Sequence, residues 1–155
     1  MNTNTNTGTA IHIRTFGTPG PQGSKRHVGN GIMVESSSKV APWREAVVAS
    51  AREQVDVEKG HPFGTDAVAI EITFLLQRPK GHYGSGPNAG KVRPSARRYP
   101  CVKPDVDKLV RSTLDALKTG GVLSDDSQVV MLYAIKLYAP VPTLAGAIID
   151  IRYAE

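Results

Sequence analysis

Residues 103–117 read KPDVDKLVRSTLDAL. Val106, Leu109, Val110, Leu114 and Leu117 recur three or four apart, which lays one apolar stripe along a helix beginning near Asp105. Gly120 and Gly121 supply a stop just beyond it. On another face Asp107, Arg111 and Asp115 follow each other one turn apart. Such a stripe needs a sheet to cover it, and strand patterns lie on both sides. Upstream, Val68, Ile70, Ile72, Phe74 and Leu76 are apolar while Glu71 and Thr73 interrupt the alternate positions, which predicts a half-buried strand. Downstream, the odd positions Val129, Met131, Tyr133, Ile135 and Leu137 form an apolar face. The even positions there hold Asp126, Gln128 and Lys136, so Asp126 and Lys136 are expected to point the same way. Ile149, Ile151 and Tyr153 alternate with Asp150 and Arg152 in a last strand.

Further out, Trp43, Val47, Ala51 and Val55 recur every four residues, predicting an amphipathic helix from Pro42 to Val57 with Arg44, Arg52 and Glu53 outward. Ile11, Ile13 and Phe16 make a short strand that runs into GTPGPQGSKRHVGNG, residues 17–31, a basic loop or hairpin carrying Lys25, Arg26 and His27. The expected architecture is α+β: a small, largely antiparallel sheet with two helices packed on one face. A chain of 155 residues with 40% apolar content suits one domain, residues 11–155, behind a polar, disordered lead-in over residues 1–10.

The formal charge of +5 favours a polyanionic partner. Its placement says more. From Arg78 to Pro104 the chain is rich in Gly and Pro and carries Arg78, Lys80, Lys91, Arg93, Arg97, Arg98 and Lys103 without one Asp or Glu. A segment this long without regular structure is expected to be a functional loop or a solvated linker. His82, Tyr83 and Tyr99 are interspersed where they can stack on bases or meet sugar. Cys101 is the only cysteine, which excludes an intrachain disulfide and fits a cytoplasmic compartment. No apolar run is long enough to span a bilayer, and the first residues lack the apolar core of a signal peptide.

Beside this loop stand two acidic pairs, Asp105 with Asp107 and Asp125 with Asp126. Each has a structural reading: Asp105 as a helix cap, Asp107 as a first-turn acid favoured by the helix dipole, Asp125 and Asp126 as turn residues. Together with the acid-free basic loop they point to chemistry. Oxygen ligands of this kind hold Mg²⁺, with Mn²⁺ as a substitute, and such an ion binds a phosphodiester and activates water. The histidines lack metal-ligand spacing, which argues against zinc. Arg111 can pair with Asp107 and Asp115 on the helix surface or meet phosphate, and Lys136 alone reads as a strand lysine.

KPDVDKLVRSTLDAL and the following GGVLSDDSQVV, residues 120–130, resemble the RusA family of Holliday junction resolvases known from phages and prophages. The shared elements are Asp105 and Asp107 opening a helix, Asp115-Ala116-Leu117, and Asp125-Asp126-Ser127-Gln128-Val129; the basic, Pro-rich 17–26 segment is similar to the family's first hairpin. The resemblance implies a homodimeric, Mg²⁺-dependent endonuclease that nicks four-way DNA junctions in pairs, with Asp105, Asp107 and Asp126 as metal-holding catalytic acids. The prototype's essential lysine is here Arg111. Arginine keeps the charge but does not exchange protons near neutral pH, so phosphate or transition-state stabilisation is its expected role. Lys25, Arg26, the seven loop cations and Lys136 are the expected DNA contacts. The alternatives are a junction-binding module without cleavage and a nuclease acting on flaps or duplexes.

Overall fold

The computed structural model describes residues 8–23, 25–35 and 37–155. Strands β1 (Ala10–Phe16), β4 (Val68–Leu76), β5 (Val129–Tyr138) and β6 (Gly146–Tyr153) form one sheet in the order β1-β6-β4-β5. β6 runs antiparallel to both β1 and β4, whereas β5 lies parallel to β4 at the edge. Strands β2 (Lys25–His27) and β3 (Met33–Glu35) make a separate hairpin, as the basic 17–31 stretch predicts. Helices α1 (Val40–Arg52) and α2 (Val106–Thr119) pack on each other, α1 also against β1 and α2 against β5. This is the expected α+β class. Of the expected lead-in, residues 1–7 lie outside the described residues, and Ala10 already belongs to β1.

One core holds these layers together. Trp43, Val47 and Ala51 of α1, Leu109, Val110, Ala116 and Leu117 of α2, and the even positions Val68 to Leu76 of β4 are all buried in it. At roughly 1.5–3 kcal/mol per buried large side chain, this cluster is the main stabilising term. The helices cross closely: a Cβ on Gly120 would sit 2.7 Å from the Ala51 methyl. Trp43 Nε1 donates to Thr113 Oγ1 at 3.1 Å, so the buried indole is satisfied across the same interface.

Two expectations need correcting. α1 ends at Arg52 rather than Val57, which instead opens a short 3-10 turn in which the Asp56 side chain accepts from Glu58 N, and Val57 is 79% exposed. In β1 the third inward residue is Thr15, fully buried, while Phe16 faces out beneath the Arg14 guanidinium, 4.1 Å from its ring. The strand expected at Ile11, Ile13 and Phe16 is therefore present, its inward alternation running through positions 11, 13 and 15.

The second correction concerns β5. Its pairing with β4 slips by one residue between Val68–Val129 and Ala69–Met131. That bulge reverses the parity beyond Val130. Leu132, Ala134, Lys136 and Tyr138 then neighbour the buried Ile70, Ile72, Phe74 and Leu76 and share their helix-side face. The odd residues, expected to be the buried set, lie on the opposite side, where Met131 and Tyr133 are exposed. Asp126 precedes the bulge, so the equal orientation expected for it and Lys136 does not follow.

Candidate active site

α2 begins at the N-cap residue Asp105, whose backbone carbonyl accepts from Leu109 N at 3.1 Å. Its carboxylate does not cap the helix; it is exposed and pairs with Lys108 Nζ at 3.5 Å. Asp107 sits in the first turn, also exposed, and Arg111 one turn later is exposed. Asp115 completes that column, half-buried. The helix N-terminus favours the two leading carboxylates by about 0.3–1 kcal/mol each.

The chain after β1 is laid along this helix. Ser112 Oγ donates to Gly20 O at 2.6 Å, Gln22 N donates to Lys108 O at 3.0 Å, and Gln22 Nε2 donates to Asp115 Oδ2 at 2.7 Å. Gly23, at φ 144, passes so close that a Cβ there would meet Lys108 Cγ at 3.5 Å and Arg111 Nη1 at 3.8 Å. Lys25 and Arg26 of β2, both exposed, follow this segment in the chain.

Between α2 and β5 the two neighbouring aspartates have different roles. Asp125 caps the 3-10 turn Asp126–Gln128, accepting from Ser127 N at 3.1 Å and Ser127 Oγ at 2.6 Å, and pairs with Lys118 Nζ at 2.7 Å. The Lys118 and Ser127 donors hold its carboxyl well below the usual carboxylate range. Gln128 completes the turn, accepting from Ser124 N at 2.7 Å and donating to Asp66 O at 2.8 Å. Asp126 is left for something else. Among the described residues its buried Oδ1 has no hydrogen-bond partner, and its carboxyl is pushed up first by burial and then by the neighbouring Asp115 carboxylate.

The loop from Arg78 to Pro104 is folded, not structureless. It holds 3-10 turns at Lys80–His82 and Gly86–Asn88 and a bridge between Tyr83 and Val92. Arg78 stacks 4.2 Å from the Tyr138 ring centroid and donates to Arg97 O at 3.0 Å. Arg93 Nε donates to Tyr83 O at 2.9 Å. Lys136 donates to Val102 O at 2.7 Å and Pro104 O at 2.8 Å, so its ammonium fastens the loop's end to the sheet immediately before Asp105. Lys80, Lys91, Arg98 and Lys103 are exposed. Arg97 donates to Cys101 Sγ at 2.6 Å, which lowers the thiol's pKa. With Pro79, His82, Arg93 and Tyr138 these two line a cavity of about 570 Å³.

The structure thus sets Asp105, Asp107 and Arg111 on one end of α2 and brings Asp126 to Asp115, further along the same face. Among the described residues no three acidic, His or Cys side chains gather as a ready metal cage. The donors are nevertheless hard oxygens, and the orphaned Asp126 Oδ1 suits a hard divalent ion. Asp115 and Gln22 were not among the predicted site residues, although the turn-spaced Asp107-Arg111-Asp115 column pointed to the former.

The sequence matches the family described as Endodeoxyribonuclease RusA over residues 17–151, most of the chain. The chain belongs to the RusA family. At family level it is therefore an endodeoxyribonuclease of the Holliday junction-resolving kind. No curated protein sequence matches it. The RusA match runs from the basic 17–31 segment to β6 and so takes in every element that builds the acidic column, the basic loop and the Asp126 turn. Among the described residues no helix is long and apolar enough to cross a membrane.

Proposed function

We propose that this RusA-family chain is a Mg²⁺-dependent, homodimeric endonuclease that resolves four-way DNA junctions by paired nicks in the cytoplasm of a bacterial cell, as a phage or prophage product. The observation that carries the reading is the acidic column on α2, with the Gly23 segment that leads to the basic hairpin lying against Lys108 and Arg111 and the end of the basic 78–104 loop fastened immediately before Asp105. Asp105, Asp107 and Asp126 supply carboxylate oxygens for Mg²⁺, with Mn²⁺ as substitute. The bound ion would polarise the scissile phosphate and lower the pKa of a water.

The remaining work falls to the chain itself. Arg111, between the acids, meets the negative charge that builds on the phosphate but does not exchange its proton. Lys25, Arg26, Lys80, Lys91, Arg93, Arg97, Arg98 and Lys103 hold the DNA arms by phosphate contacts. Arg78, Arg93, Arg97 and Lys136 also keep the loop in place, since each already donates within the protein, and Arg78 and Lys136 have DNA contact as a second role. A second copy is supported by β5, a sheet edge on which Val130, Met131, Leu132 and Tyr133 are exposed in succession. An uncharged exposed edge suits pairing with its own two-fold mate, and a two-fold symmetric junction calls for two matched sites.

Arg111 in place of lysine supports a rival, a junction-binding module that does not cut. Incubation with Mg²⁺ and a synthetic four-way junction decides between them. Symmetric nicks that disappear in Asp107→Asn support the nuclease, binding without cutting supports the rival, and equal cutting by both proteins removes the assignment of Asp107. Competition with linear duplex or flap DNA of the same sequence tests the substrate.

A further inference from the structure

Of the three loop aromatics expected to stack on bases or meet sugar, the structure favours Tyr99. His82 lies edge-on to Tyr138 with ring centroids 5.4 Å apart, and its Nδ1 is 3.2 Å from Arg78 Nη1. Tyr83 is half-buried where its backbone bridges to Val92. Tyr99, by contrast, is 53% exposed, and the Arg98 guanidinium sits over its ring, 5.3 Å from the centroid. Pro100 beside it is buried and Cys101 N donates to Tyr99 O at 2.9 Å, so the backbone that carries the ring is pinned. Arg98 and Tyr99 line an open groove of about 740 Å³ that runs along the second half of β5, where Ile135 and Leu137 give it an apolar lining. Val106 lines it as well. This valine belongs to the apolar stripe of α2, yet it is 37% exposed, and it stands between Asp105 and Asp107 in the chain. The groove therefore reaches the acids assigned to the scissile phosphate. Arg98 and Lys136 line it, and no carboxylate does.

An apolar lining, an exposed aromatic ring and an uncompensated cation are what a single nucleobase and its phosphate require, the base for stacking and the phosphate for charge. The groove's volume falls within the about 300–1,000 Å³ of small-ligand sites, which suits one nucleotide and not a stacked duplex. We propose that this groove receives one unpaired nucleotide of the strand being cut, next to the branch point, with its base stacked on Tyr99 and its phosphate on Arg98. Drawing a base out of the stack costs least where pairing is already interrupted, so the groove favours branched DNA over plain duplex. The proposal rests on the branched-DNA reading above and deepens it by naming the residue that recognises the branch. The second half of β5 serves the groove, and the first half, Val130 to Leu132, is left for a second copy.

The test mixes the full chain with a synthetic four-way junction in the absence of divalent metal, so that no strand is cut, with 5-iodouracil replacing one base beside the branch point at a time. Irradiation should cross-link one such position to Tyr99, identified by mass spectrometry of the joined peptide, and the same base in a linear duplex should not cross-link there. Tyr99→Leu should bind the junction roughly 5- to 150-fold more weakly, the range for one lost base stack, while its duplex affinity and melting temperature stay at the wild-type values. Tyr99→Phe keeps the ring and should bind as wild type does. Wild-type junction affinity in Tyr99→Leu, or an equal loss on junction and duplex, overturns the proposal. A shift of Tyr99→Leu from dimer to monomer in sedimentation also overturns it, by giving the groove to a second copy. Cleavage in Mg²⁺ scored in parallel keeps the two claims apart: a wild type that cuts junctions while Tyr99→Leu binds them normally refutes this inference alone. A wild type that forms the Tyr99 cross-link without cutting refutes only the nuclease reading.

Discussion

Replacing Lys136 with Met removes the ammonium that donates to Val102 O at 2.7 Å and Pro104 O at 2.8 Å, while keeping a chain of similar length on the helix-side face of β5. A hydrogen bond from a charged donor contributes about 1.5–3 kcal/mol, and partial exposure of this one reduces it, so the pair is expected to hold the loop's end by about 2 kcal/mol. At 1.4 kcal/mol per factor of ten that corresponds to roughly a 30-fold larger open population of the segment before Asp105. Trypsin cleavage after Arg97 and Arg98, measured without DNA under conditions where opening is fast, reports that population. Lys136→Met should be cut roughly 30-fold faster there, with the open-population argument setting the scale, and its junction affinity should fall because the loop cations are no longer held together. The global melting transition should move little, since the core contacts are untouched. Equal cleavage of both proteins in the absence of DNA refutes the tether and returns Lys136 to the role of a direct phosphate contact.

Gly120→Ala places a methyl 2.7 Å from that of Ala51 and should destabilise the α1–α2 crossing by about 1–3 kcal/mol, read as a lower melting temperature, with Ala51→Gly restoring it in the double variant. Lys118→Met removes the partner that depresses Asp125. A depressed carboxyl contributes stability above its unfolded pKa, about 3.9, and loses it as the pH falls through the folded value. Wild type should therefore melt above the variant near pH 6, and the gap should close only below pH 4; a gap that widens toward low pH contradicts the assigned sign. Leu132→Glu on the exposed edge of β5 should shift sedimentation from dimer to monomer, whereas an unchanged profile removes this edge from the interface. Lys80→Gln combined with Lys91→Gln should reduce the slope of log affinity against log salt by about 0.9 for each lost phosphate contact, and an unchanged slope removes these lysines from the DNA footprint.

Much of this architecture is legible without coordinates where local chemistry decides it. β4 is found at its observed bounds because Val68 to Leu76 alternate with a polar face, and α2 because its apolar stripe, acidic start and glycine stop agree. The errors arise where a non-local event intervenes. The inward face of β5 reverses at a one-residue bulge, which the apolar residues on both of its faces cannot signal. The 78–104 loop reads as unstructured because its order comes from arginine side chains reaching backbone carbonyls and Tyr138, contacts with no periodic trace. The resemblance already assigns Asp126 rather than Asp125, and the structure adds that Asp125 is occupied by Lys118 and Ser127. The bond from Gln22 to Asp115 joins two distant segments, and only the Asp107-Arg111-Asp115 spacing hinted at a role for the latter.

The most direct test of the central claim, that these folded carboxylates cut DNA, is single-turnover cleavage of a four-way junction by wild type and Asp126→Asn at matched DNA occupancy in Mg²⁺. The account predicts that the variant binds the junction about as well as wild type yet nicks it at least a thousandfold more slowly, in line with loss of several kcal/mol of transition-state stabilisation. Nicking at the wild-type rate by the fully bound variant would contradict it.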